Sequence, residues 1–274
     1  MRSKILAASF AILFAHSIAA AAPAAAPLPM TPTGPWKVEF ADSMCLLSRP
    51  FGKDGATTLV LKPNMLGNGM EIIVSRGTTS IDRPEHGQAA LDIADKRVDF
   101  DTFFNAYSTA KARLIRVMIP DDKIELPALR GTLSIDAKAE GQHSFSIVGI
   151  ERAFPVLATC VAQLRAIYKV SDSDIGALTA KPEVQPNSLF TVNDYPVEAL
   201  KMGQSGTVGV LVWVEANGRT STCEIIDSSA SPVLEQTTCN IMKRRTRWTP
   251  AKDAAGKAVR APSFTRIRWE LPSS

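Results

Sequence analysis

Residues 207–215 alternate: Val208, Val210, Val212 and Val214 fall on one side of an extended chain, with Leu211 and Trp213 on the other. A period of two is the signature of a β-strand that buries one face. Asn217-Gly218 follows at once, a pair suited to the positive φ angles of a type I′ hairpin turn, and residues 220–227 supply the returning strand. Any fold for this chain must therefore include an antiparallel hairpin with a covered valine face. Trp213, opposite the valines, either packs under the first helix of this region or marks a partner surface.

Helix signals flank the hairpin. Tyr195-Pro196 opens a short helix, with Asp194 as its N-cap, Pro196 near its first position and Gly203 or Gly206 as its stop. Ser231 caps a second helix that has Pro232 at its first position and turns Leu234, Thr238 and Ile241 toward the sheet. Lys243, Arg244 and Arg245 sit where the helix dipole favours cations. After a corner at 248–251, residues 263–271 read as a last strand. Ile267, Trp269 and Leu271 form its apolar face, and Phe264, Arg266, Arg268 and Glu270 point outward.

That order of elements, from about 190 to 272, resembles the TonB C-terminal domain family. The landmarks are Tyr195-Pro196 with Ala199-Leu200, Gly206-Thr207-Val208, Asn217-Gly218-Arg219, Ser228-Ser229, Arg247-Trp248-Thr249-Pro250-Ala251 and Gly256-Lys257-Ala258-Val259. The resemblance implies two helices on a three-stranded antiparallel sheet. It also implies a non-enzymatic role without cofactor or metal, in which the last strand accepts an extended peptide of an outer-membrane receptor or another envelope protein by strand addition. Phe264, Arg266, Arg268 and Glu270 then line the peptide-binding edge, and Arg266 and Arg268 suit acidic peptides. The competing reading of these two arginines is protection of an exposed edge against aggregation. The family's long Pro-rich spacer has no counterpart, and neither does its membrane helix with Ser and His one turn apart. An adaptor that dimerises or docks without energy transduction is therefore the alternative.

The rest of the chain reads as an export leader and a first domain. Arg2 and Lys4, the apolar run 5–15 and the small residues 19–22 make residues 1–22 a secretory signal peptide. The competing reading is an uncleaved inner-membrane anchor, since the run approaches the roughly 20 apolar residues that span a bilayer. Residues 23–35, rich in Ala and Pro, are expected to be a disordered lead-in. Residues 36–170 read as an α+β domain of unknown role. Short apolar runs at 36–40, 44–49, 57–62, 70–75, 114–119, 132–137 and 144–148 are its antiparallel strands. Residues 154–168 form a closing helix with Leu157, Val161, Leu164 and Tyr168 in line. One helical turn is expected at 121–126 and a linker at 171–190.

Export to the periplasm permits disulfides. Four cysteines allow three pairings, and a two-domain chain favours Cys45–Cys160 with Cys223–Cys239. No cysteine has a close Cys or His at zinc-ligand spacing. The formal charge of +4 falls to about +2 without Arg2 and Lys4, which is no nucleic-acid footprint. His86 and His143 are read as solvated or structural. Asp99, Asp101, Asp121 and Asp122 are read as turn residues rather than paired acid–base groups, and Asp172 and Asp174 as solvated linker residues.

Overall fold

The structure, a computed structural model, describes residues 28–41, 43–67, 69–78, 85–98, 101–109, 111–119, 124, 126–185, 190–228 and 230–271. The signal-peptide reading, Asp99, Asp121 and Asp122 lie outside these residues. The fold class is α+β, as the sequence implies. Among the described residues ten strands precede the first α-helix: β1 (Lys37–Ala41), β2 (Met44–Phe51), β3 (Thr57–Pro63), β4 (Met70–Gly77), β5 (Glu85–Ile93), β6 (Lys96–Arg97), β7 (Thr102–Ser108), β8 (Ala112–Ile119), β9 (Thr132–Asp136) and β10 (Gln142–Ser146). They pair antiparallel in the order β1-β2-β3-β4-β8-β7-β5-β9-β10, with β6 beside β5. The strands expected from apolar runs are all present within a few residues. The three not expected, β5 to β7, complete the row.

The sheet curls until its ends meet. Met30 bridges Phe145 of β10, and Pro32 bridges Phe51 of β2. The Met30 amide donates to the Ser144 carbonyl at 2.7 Å, and the Thr33 amide to that of Pro50 at 3.0 Å. Residues 30–33 are thus a clasp, not the disordered lead-in expected; main-chain pairing gives them order that their composition does not announce. Leu47, Phe51, Leu59, Ile72, Ile115, Leu133 and Phe145 are fully buried in the core. Helix α1 (Phe154–Ile167) adds Leu157, Cys160 and Leu164 to it. The Cys160 side chain joins Cys45 of β2, with Cα atoms 6.0 Å apart. Proline in its first turn lets α1 start without a missing hydrogen bond.

The segment expected to be a plain linker carries structure. Helix α2 (Asp172–Gly176) starts in a capping box of Ser171 and Asp174, which corrects the solvated reading of Asp174. β11 (Glu183–Val184) pairs with β14 (Trp248–Thr249).

The C-terminal sheet has three strands in the order β13-β12-β17: β12 (Gly206–Val214), β13 (Thr220–Ser228) and β17 (Ala261–Trp269). Its valine face is fully buried beneath α3 (Val197–Lys201) and α4 (Pro232–Arg244). A two-stranded flap, β15 (Ala251–Lys252) and β16 (Ala258–Val259), fills the loop before β17. Cys223 of β13 joins Cys239 of α4.

Local details correct three expectations. The hairpin turn is not type I′: Gly218 has φ 73° but Asn217 does not have positive φ. The Gly218 amide donates to Glu215 at 2.9 Å and the Glu215 amide to Arg219 at 2.8 Å, which makes a three-residue loop with glycine in the left-handed position. A Cβ at Gly218 would also lie 2.3 Å from the Trp248 carbonyl oxygen, so no larger residue fits. Asp194 does not cap α3. It stands third in a capping box begun by Thr191, and Pro196 occupies the cap of α3. Ser231 has cap geometry on α4 but its buried hydroxyl makes no hydrogen bond among the described residues.

Candidate functional site

Among the described residues β17 has a strand on one border only. Its nine residues pair with β12 without a break in register, from Ala261 opposite Val214 to Trp269 opposite Gly206. Such a border presents main-chain N–H and C=O groups that a visiting strand can satisfy. Trp269 is locked into the valine face: its indole N–H donates to Thr238 Oγ1 at 2.9 Å, and the rings of Phe190 and Tyr195 meet it edge-on at 5.5 and 5.3 Å. That anchoring fixes the C-terminal half of the edge. Leu271, expected to share this apolar face, lies beyond the strand and is exposed.

The other face of the sheet is not open. Leu211, Trp213, Ile226 and Phe264 join the core of the N-terminal sheet. Trp213 is therefore buried between the two layers rather than beneath α3, and the Arg260 guanidinium stacks on its ring at 3.7 Å. Phe264 and Arg266, expected to point outward, are turned against the N-terminal sheet instead. The cause is register: both share the face of Leu211 and Gly209, which the second sheet covers. A signal for this was present in β12, whose residues are apolar on both faces, the mark of a strand buried on both sides.

Five charges meet in this interface. Lys62 of β3 donates to Asp227 of β13 at 2.5 Å. Arg116 of β8 holds Glu71 of β4 with two hydrogen bonds, from Nε to Oε1 and, at 2.8 Å, from Nη2 to Oε2. Arg266 reaches both carboxylates, Glu71 at 3.6 Å and Asp227 at 3.7 Å. Burial works against ionisation of Asp227, but Lys62, Arg266 and Arg116 outweigh it and hold its carboxyl below the usual value. Burial likewise disfavours charge on Arg116, and the bidentate bond to Glu71 overrides it. The set holds three cations and two anions, so it carries one surplus positive charge.

A cleft of about 960 Å³ opens beside this cluster. One wall is β17 from Phe264 to Trp269, continued by Glu270 and Leu271; the facing wall is the outer surface of β7 and β8. Thr265 and Trp269 line it together with Phe264, Arg266 and Arg268, whose side chains point the opposite way. The lining continues past β17 to Gly206 and Thr207 of β12 and to Ile226 and Asp227 of β13, so the cleft runs beneath the covered face of the sheet as well as along β17. Arg268 spans the gap: Nη1 donates to Asn105 Oδ1 at 3.4 Å, and Nη2 lies 2.6 Å from Glu270. Of the four residues expected at the edge, Arg268 and Glu270 are exposed beside it, while Phe264 and Arg266 serve the interface between the sheets.

Other polar groups named in the sequence are held by partners within the fold or face solvent. His143 is buried and donates from Nε2 to the Glu140 carbonyl at 3.1 Å. Burial, with Arg76 nearby, keeps its pKa below the ordinary histidine value. His86 is exposed on β5. Glu140 is shared by Arg76 and Arg113. The Arg247 guanidinium donates to the carbonyls of Arg244, Arg245 and Thr246, closing the C-terminal end of α4.

Two helices on one face of a three-stranded antiparallel sheet, with β17 paired on one side by β12 and approached by α2, define a small α+β module. Residues 191–271 match the family model described as Gram-negative bacterial TonB protein C-terminal. That family is a non-catalytic transport domain of the cell envelope, and its members interact with outer-membrane receptors or other envelope proteins. No curated protein matches the chain. Among the described residues no helix is long and apolar enough to cross a membrane.

Proposed function

We propose that the protein acts in the periplasm as a TonB-type binding module that takes up an extended segment of an outer-membrane receptor, or of another envelope protein, along the free border of β17. The observation that carries this reading is the single-sided pairing of β17 beside an open cleft. Main-chain hydrogen bonds supply affinity, and the side chains beside the border select among segments. The two disulfides support export to an oxidising compartment. The reading assigns no catalytic step and no cofactor.

The test is hydrogen exchange on the full chain with a synthetic peptide copied from the plug of an outer-membrane receptor. Alternate amides of β17 are expected to exchange more slowly when the peptide is added. Binding that leaves every β17 amide unprotected would overturn the reading. A second reading, that of a fixed adaptor without energy transduction, is favoured by the buried ion cluster, which holds the module against the N-terminal sheet.

A further inference from the structure

The N-terminal sheet has no role in the strand-addition reading, yet its outer surface forms half of the cleft. Along β7 the outward positions run in order Asp101, Phe103, Asn105 and Tyr107, with Asp101 just before the strand. Phe103 pairs directly with Met118 of β8, and Asn105 with Arg116. Phe103 is 55% and Met118 39% exposed, an apolar pair left open on an otherwise polar surface. Successive rows lie about 7 Å apart, twice the rise of a strand residue. That is also the spacing of neighbouring side chains on one face of an extended peptide.

Charge gives the cleft a direction. Arg268 sits over the Asn105 row with Glu270 as its ion-pair partner at 2.6 Å, and Arg266 lies close by with only the two long carboxylate contacts described above. Glu71 and Asp227 each have a nearer cation, so Arg266 carries the surplus charge of the cluster. Beyond the apolar pair stands Asp101, exposed and negative. A carboxylate is therefore attracted at the arginine end and repelled at the other. The opening left between β17 and β7 suits a chain in extended form, whose main chain meets β17 while one face of its side chains meets β7 and β8.

Resting on strand addition at β17, we infer that the outer surface of β7 and β8 is the second wall of the same peptide groove, and that its occupant is an extended peptide bearing an acidic side chain for Arg268 and Arg266 and, on the same face, an apolar side chain for Phe103 and Met118. The N-terminal sheet is then the part that chooses the peptide. The docking of the two sheets sets the width of the groove.

Panning a displayed library of random dodecapeptides on the full chain tests this. The wild type is expected to enrich peptides with Asp or Glu sharing a face with an aliphatic or aromatic residue. Arg268→Glu, at a half-exposed position, is expected to turn the acidic preference into a basic one. Phe103→Ser is expected to weaken a selected synthetic peptide at least tenfold while β17 amides remain protected in the residual complex. An acidic preference untouched by Arg268→Glu, or affinity untouched by Phe103→Ser, with β17 still protected, overturns the second wall and leaves strand addition standing. Selected peptides that protect no β17 amide, or no enrichment at all, overturn both.

Discussion

Asp194 shows how one residue can serve two elements. Its carboxylate accepts from the Thr191 amide at 2.6 Å and from the Thr191 hydroxyl at 2.9 Å, and it binds the Arg245 guanidinium beyond α4. It thereby ties the entry of the C-terminal module to the end of its second helix. The hydrogen bonds from Arg245, partly opposed by burial, hold its pKa down at about 2. A folded-state pKa below the unfolded one means stability present above pH ~4 and lost as the pH falls toward ~2. Asp194→Asn is therefore expected to lower stability at pH 6 by on the order of 1 kcal/mol, discounted for the partial exposure of Arg245, and to cost only a small part of that near pH 2, where the folded-state carboxyl is half protonated. Urea unfolding at both values measures this, and a difference undiminished at pH 2 would refute it. The residue types at 194 and 245 were visible as helix-end signals, but their pairing was not, since 51 residues separate them in sequence.

The elements of the C-terminal module were legible because each is announced locally. Alternating valines, a loop glycine, Pro232 after Ser231 and an aromatic–aliphatic last strand name their own conformations. β5 and β7 escaped notice because their outward faces carry His86, Gln88 and Asn105, and Gly87 and Ala89 weaken the inward row. That β17 would stand at a sheet border was implied by the family resemblance; which layer would cover its inner face was not legible, because Phe264 and Arg266 look the same in sequence whether they meet solvent or another sheet. The disulfides join elements rather than distant surfaces: Cys45–Cys160 pins β2 to α1, and Cys223–Cys239 pins β13 to α4. Their loops differ greatly, with separations of 115 and 16 residues. Chain entropy alone assigns about 4 to 5 kcal/mol to the long loop and about 3 kcal/mol to the short one. Replacing each pair by serine is expected to reproduce that order in denaturant unfolding at neutral pH. A larger loss for the short loop would mean that local packing, not loop entropy, sets the contribution of each bridge.

At the scale of the whole molecule the question is what holds two sheets face to face. Leu211, Trp213, Ile226 and Phe264 supply apolar contact, and the five-charge cluster fixes the alignment. Because cations outnumber anions by one, the cluster responds unequally to the loss of its members. Lys62→Met leaves Arg116 and Arg266 with Glu71 and Asp227, a balanced set, and the methionine fills the space of the lysine stem. Asp227→Asn leaves three cations facing Glu71 alone, with Lys62 only 10% exposed and without its carboxylate. Breaking a buried pair from one side costs about 3–5 kcal/mol when the remaining charge is left uncompensated. Asp227→Asn is accordingly expected to destabilise the protein by about 2–4 kcal/mol, the lower bound reflecting its partial exposure, and Lys62→Met by less than about 1 kcal/mol. The double variant is expected to recover most of the loss. Urea unfolding, followed by circular dichroism and by the fluorescence of all four tryptophans, of which Trp213 lies at the interface, reads the energy, and a fluorescence change that precedes the loss of secondary structure reports that the sheets part before they unfold. Equal losses from the two single variants would show that the surplus positive charge, on which the preference of the groove for an acidic side chain depends, is not there.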